Sequence, residues 1–246
     1  MAMRAFHMAE IHAGVYRQLV TGSGLKRFRV RVEQSDLLIS AHGVFAEEAS
    51  VALHTARRMI SGYAAKHDSF YTALRPLPLD ENAPCVVRDM LEAGQAACVG
   101  PMAAVAGAIA QYVGEALLPL AEEVIVENGG DIYMNTRSPR ILCILAESAQ
   151  TGCLRIRPTL EKRGFGICTS SGKLGPSLSL GNADSVTVLA GRTALADALA
   201  TRLANRIRRD RDVPGVLDAS RKTPAKGVVI MMNHYIGVRG ALQILN

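Results

Sequence analysis

Val126-Glu127-Asn128-Gly129-Gly130-Asp131-Ile132-Tyr133 sets two apolar stretches back to back around a pair of glycines. Val124–Glu127 and Ile132–Met134 read as strands, and adjacent glycines tolerate the positive φ that a tight reversal needs. The segment therefore predicts a hairpin with an open backbone at its tip. Asp131, at the foot of the turn, can accept hydrogen bonds from a ligand or from nearby backbone N–H groups. Taken alone, Asn-Gly is equally an ordinary hairpin turn, so the meaning of the segment depends on its surroundings.

Before it, the alternation of Phe28, Val30 and Val32 predicts a strand over 27–33, with further strands at 16–20 and 36–40. Helical spacing of Val51, Ala52, Thr55 and Met59 predicts a helix over 47–65. Two more follow over 84–97 and 101–118, each with a proline where a first helical turn accepts one. After the hairpin, strands are expected at 141–146, 154–157, 166–169 and 186–190. Helices are expected over 194–208 and 213–220, then strands at 228–232 and 242–245 separated by a turn through Gly237 and Gly240. Strands and helices come in runs rather than in strict alternation, which says α+β. No linker divides the 246 residues, so the expectation is one domain over 1–246, open to division into two closely packed halves.

Composition narrows the function classes. Hydrophobic residues make up 49%, charged residues 20% and aromatics 4%, with no Trp, so small aliphatic side chains must build the core. The net charge of +6 is concentrated at Arg202, Arg206, Arg208, Arg209 and Arg211, near a helix end whose negative dipole cations complement. No aromatics interleave with these residues for bases to stack on, which argues against a nucleic-acid groove. Five scattered cysteines without a C-x-x-C spacing read as unpaired small apolar residues in a reducing compartment. The start carries no signal-like apolar region, and the longest apolar run, 96–110, is shorter than the ~20 residues of a membrane span. A cytoplasmic protein with no membrane partner is expected.

Three further constellations carry chemistry. Gly166-Ile167-Cys168-Thr169-Ser170-Ser171-Gly172 runs a strand into three hydroxyls and a glycine, donors suited to an anion or carbonyl, or to a self-satisfying Ser/Thr turn. Asp197 and Thr201, four apart, share one helix face and offer two hard oxygens to a cation such as Mg²⁺; alternatively Asp197 favours the helix start and Thr201 bonds back to a carbonyl. Gly100 precedes the proline-started helix, where a phosphate can sit or a neighbour can pack. His7, His12, His42, His54, His67 and His234 show no metal-ligand spacing. No Gly-x-Ser-x-Gly elbow marks Ser170 or Ser171 as a hydrolase nucleophile.

In order, residues 99–110, 126–133, 166–172, 183–188 and 196–201 resemble the UPF0280 family, which is grouped with the ApbE-like proteins, and the resemblance spans nearly the whole chain. It implies a T-fold-like (ApbE-like) architecture of layered mixed sheets with packed helices. It also implies binding of a flavin nucleotide, FAD, with Mg²⁺, and transfer of FMN to a Thr or Ser of a protein acceptor. Gly129, Gly130, Asp131, Thr169, Ser170, Ser171, Gly172 and Gly100 would line the ligand, and Asp197 and Thr201 would hold the metal. One departure stands out: Pro176 occupies a position where relatives carry His, which leaves no general base in that segment. Two rivals follow: a non-catalytic nucleotide-binding accessory protein, or a T-fold enzyme acting on another heterocycle in cofactor or sulfur metabolism. A homo-oligomer is compatible with the resemblance.

Overall fold

The computed structural model describes residues 24–144, 154–159, 164–171 and 181–245. Eight strands form one sheet in the order β1 (Lys26–Val32), β2 (Ser35–Ala41), β3 (Val124–Asn128), β4 (Asp131–Asn135), β7 (Phe165–Ser170), β8 (Ser185–Ala190), β9 (Gly227–Met232) and β10 (Tyr235–Gly240). A second sheet has the order β11 (Leu242–Leu245), β6 (Leu154–Pro158), β5 (Leu142–Ile144). Every described pairing is antiparallel. The α+β expectation holds.

Alternation along the strands decides what covers each face. Val124, Val126, Tyr133, Cys168, Val186 and Val188 point into one core, shared with the helices. Ile125, Ile132, Met134, Ile167, Leu189 and Val229 point into a second core, closed by Leu142, Ile144 and Ile156 of the small sheet. Both faces of the central strands are thus buried, and these strands read as continuous apolar runs rather than half-polar ones.

Helix α1 (Ala46–Ala64) packs on β1 and α3, α3 (Val105–Leu117) lies over β3 and β4, and α4 (Thr193–Ala204) lies over β7 and β8. Helix α2 (Cys85–Ala97) lies outside, against α4, and a 3-10 turn at Pro101–Ala104 leads into α3. Arg202 of α4 donates to the Ala97 carbonyl at 2.9 Å, satisfying the end of α2. Helix α5 (Val213–Ala219) packs on β9 and β10.

Four expectations need correction or fall outside the described residues. Residues 235–240, read as a turn because of Gly237 and Gly240, form strand β10; Gly237 faces Val213 and Leu217 of α5, which fill the place of its missing side chain. Helix α4 stops at Ala204 rather than continuing to 208, and the following carbonyls of Ile207 and Arg208 accept from Asn182. Cys143 is disulfide-bonded, while Cys85 and Cys98 are free and exposed and Cys168 is free and buried. Spacing alone does not reveal which cysteines meet in space. The strand expected at 16–20 lies outside the described residues.

Candidate active site

The β3–β4 hairpin is closed by a two-residue loop, with Asn128 paired to Asp131 and Gly129 and Gly130 at φ of 64° and 106°. Positive φ at both positions is the geometry that matches strand twist and that side chains resist. Hairpin tips usually stand in water, yet here Asn128 and Asp131 are 7% and 8% exposed. The tip is tucked against the helix layer. Asn128 donates to the Ala106 carbonyl at 3.1 Å, which fastens the turn to the start of α3.

Helices α3 and α4 meet beside this turn and cap each other. Neither has a capping side chain of its own. Asp197 of α4 accepts from the Gly107 N–H at 2.9 Å, near the start of α3. Gln111 of α3 accepts from the Thr193 N–H at 2.8 Å, at the start of α4. A carboxylate at a helix N-terminus satisfies orphan donors and meets the positive end of the dipole. The close crossing requires Gly107, because a Cβ there would lie 2.6 Å from the Thr193 carbonyl oxygen.

These elements enclose a cleft of about 900 Å³. Asn128, Gly129 and Asp131 come from the hairpin, Thr169 and Ser170 from the end of β7, and Asp197 and Thr201 from α4. The start of α3 adds Val105, Ala106 and Ile109, and α1 adds His54, Arg57, Arg58 and Ser61. Tyr71 and Leu74, on the connection between α1 and α2, sit at the mouth and are exposed.

Seven of the ten residues singled out in the sequence line this one cleft: Gly100, Gly129, Asp131, Thr169, Ser170, Asp197 and Thr201. Gly130 and Ser171 are buried nearby without lining it, and Gly172 lies outside the described residues. Gly100 has a second reason to be glycine, since an added Cβ would lie 1.6 Å from the Ala73 carbonyl. Sequence reading missed the α1 wall. The signal was there as a polar stripe, His54, Arg58 and Ser61, at helical spacing. The cleft thus holds an imidazole, from α1 rather than from the segment around Pro176, which lies outside the described residues.

The electrostatics of the floor are those of an incomplete site. Burial pushes the Asp131 carboxyl well above the usual carboxylate range, the charges of Asp197 and Glu127 push the same way, and bonds from the Cys168 thiol and Thr169 N–H offset only part. Burial also pushes Asp197 up to about 7, against the N–H groups of Gly107 and Ala106. Asp131 Oδ1 and Ser170 Oγ are buried with no hydrogen-bond partner. Thr169 Oγ1 lies 2.8 Å from Thr187 Oγ1 on the neighbouring strand, so its hydroxyl is already engaged. Buried polar atoms are nearly always paired, and exceptions concentrate where a ligand or ion is meant to complete them.

A family model described as AbpE bacteria matches residues 17–225. The UPF0280 protein of Methanocaldococcus jannaschii is 33% identical over 223 residues, covering 87% of this chain and 90% of its own. The chain belongs to the UPF0280 family of ApbE-like proteins. Another UPF0280 protein, from Methanopyrus kandleri, is 41% identical over 180 residues, 72% of either chain. Among solved structures, the flavin transferase ApbE of Vibrio cholerae aligns with a TM-score of 0.55 at 12% identity, covering 88% of this chain and 97% of that one. The Pseudomonas stutzeri flavinyl transferase ApbE aligns at 0.57 and 16% identity, covering 87% and 93%. At such identities the likeness establishes that UPF0280 proteins share the ApbE fold. Among the described residues no single helix is long and apolar enough to cross a membrane.

Proposed function

We propose that this protein binds a flavin nucleotide, FAD, together with Mg²⁺ in the cleft and transfers FMN to a hydroxyl of a protein acceptor. The observation that carries the reading is the convergence of three distant segments, 128–131, 169–170 and 197–201, on one cavity with two unsatisfied buried oxygens on its floor. A volume of about 900 Å³ lies in the range of sites that enclose a nucleotide-sized ligand.

The residues present fit a hard cation. Asp197, Thr201 and the unpartnered Asp131 Oδ1 offer oxygen donors, the set Mg²⁺ prefers while keeping water and phosphate as its remaining ligands. No group of three His, Cys, Asp or Glu side chains gathers among the described residues, so phosphate oxygens of the ligand would have to share in holding the ion. Bound there, Mg²⁺ would neutralise a diphosphate and the charge developing on its leaving phosphate. Of the chain's own groups, the β3–β4 turn leaves the Gly129 backbone open to the cavity, and Ser170 Oγ offers a hydroxyl to a ligand oxygen. In the transfer, the phosphorus–oxygen bond to AMP breaks, a new ester to the acceptor hydroxyl forms, and the hydroxyl proton passes to a base.

Incubation of the purified protein with FAD and Mg²⁺ should retain yellow colour through desalting and raise the melting temperature. Asp197→Asn is the informative variant, because its amide oxygen still accepts from Gly107 while the charge is gone. Loss of the Mg²⁺-dependent shift in a folded Asp197→Asn protein is expected. Wild-type protein that takes up no FAD under these conditions would sink the reading.

A further inference from the structure

The cleft that holds the acidic floor is also lined by an arginine without a carboxylate partner. On α1, Arg57 is spent: it pairs with Glu33 and donates to Ser35 Oγ at 2.8 Å and to Gln34 Oε1 at 2.9 Å. Arg58, the next residue, also lines the cavity, and among the described residues it has no carboxylate partner. Its recorded contact is a long one, 3.5 Å to Thr55 Oγ1 on its own helix. His54 and Ser61, a turn before and a turn after, line the same wall.

One cavity therefore has two poles. The floor has carboxylates that gain from a cation, and the wall has a guanidinium with no anion. A ligand that answers both carries a divalent ion at one end and anionic oxygens within reach of the other, which is the chemistry of a metal-bound diphosphate. The guanidinium fork suits phosphate oxygens because two N–H groups can meet two oxygens in one plane. Arg58 is exposed and lines the cavity, so its guanidinium is open to a ligand there.

We propose that Arg58 is a binding residue for the diphosphate of the cleft's nucleotide ligand, contacting phosphate oxygens from α1 in the cavity that Asp131 and Asp197 also line. This rests on the nucleotide reading above and assigns the α1 wall a role in it. The Arg58 side chain is exposed, so its variants should fold as the wild type does.

Calorimetric titrations with Mg²⁺ present would compare wild type, Arg58→Ala, Arg58→Glu and Arg221→Ala. Arg221 is an exposed arginine outside the cleft, paired with Asp218, and controls for net charge. The probes are FAD, ADP, inorganic pyrophosphate and riboflavin, the last lacking phosphate. Arg58→Ala should weaken the three diphosphates by about tenfold and Arg58→Glu by roughly a hundredfold, with riboflavin unchanged in both. Arg221→Ala should match the wild type throughout. Arg58→Glu that binds ADP and pyrophosphate within about twofold of the wild type would overturn the assignment, since a charge-assisted contact cannot be reversed at so small an effect. Arg58-dependent binding of ADP and pyrophosphate with rejection of FAD would uphold Arg58 and sink the flavin reading instead. Wild-type protein that binds none of the three diphosphates would overturn both.

Discussion

Glu123 and Asp131 stand at opposite ends of one hairpin, both buried, and the chain treats them in opposite ways. At the open end Glu123 accepts from the Arg137 N–H and from the Ser138 N–H at 3.0 Å, and it pairs with the buried Arg140. Burial by itself would raise this carboxyl, but those donors outweigh it and hold Glu123 below its ordinary range. At the turn end Asp131 has an oxygen with no partner and another carboxylate for a neighbour, and its proton affinity moves the other way. Eight residues of the same hairpin thus separate a carboxylate whose donors are in place from one with an oxygen left over. A protein that can satisfy a buried acid at one end has no structural need to leave one unsatisfied at the other. On the proposed function, the incomplete end is where the ligand and its ion would bind.

The completed end should be the costlier to disturb. Arg140→Met removes a cation that is 5% exposed and leaves Glu123 buried with two backbone donors alone. Breaking a buried pair from one side costs about 3–5 kcal/mol. Urea denaturation should show a loss of that size for Arg140→Met. Glu123→Gln should lose about as much, because with its amide oxygen kept on Arg137 and Ser138 it turns an NH2 toward the buried guanidinium of Arg140, which is left without its carboxylate. A loss for Arg140→Met no larger than that of an exposed arginine variant would mean the two ends are not different in kind.

The incomplete end should respond in the opposite direction. Asp197 is raised from 3.8 to about 7 in the folded chain, so between those values the folded form holds a proton that the unfolded form has released. Its contribution is present at the acid end of that window and is lost as pH rises through it. For Glu123 the sign reverses: its contribution is present above 4.5 and is lost as pH falls below it. Without metal, stability should therefore fall as pH rises from 3.8 toward 7. Asp131→Asn, which removes one of the two facing charges, should flatten that fall and raise stability at neutral pH. Mg²⁺ with FAD should flatten it in the wild type. Melting curves that decline equally in wild type and Asp131→Asn would refute the coupled-acid account.

Much of this arrangement was legible in the residues and some of it was not. The paired glycines, the hydroxyl run at the end of β7 and the Asp197–Thr201 spacing are local signals, and each predicts its own segment without knowledge of the rest. Their meeting in one cleft is long-range, and it was reached through the order of motifs rather than through any single one. The strand β10 was missed because glycines were read as turn residues, whereas a packed helix can supply the bulk that Gly237 lacks. Arg58 was missed for a different reason. Which arginine of an adjacent pair is neutralised depends on Glu33, Gln34 and Ser35, and those reach Arg57 only through the folded β1–β2 turn.

The mutual capping of α3 and α4 was likewise invisible, because both caps come from another helix. It also supplies the smallest of these tests. Gln111→Leu keeps the bulk of the side chain, removes the acceptor of the Thr193 N–H together with a donor to the part-buried Glu115 Oε1, and leaves the Asp197 cap in place. Loss of a cap costs ~1 kcal/mol, or roughly 2–4 °C of melting temperature in a chain of this size. Because Thr193 is fully buried, water cannot replace the lost acceptor without opening the helix crossing. The cost should therefore persist when the cleft is filled by ligand, whereas the penalty of the Asp131–Asp197 pair should not. Equal relief of both by FAD and Mg²⁺ would mean that the crossing and the floor form one unit, and that the division between a completed and an incomplete site fails at α4.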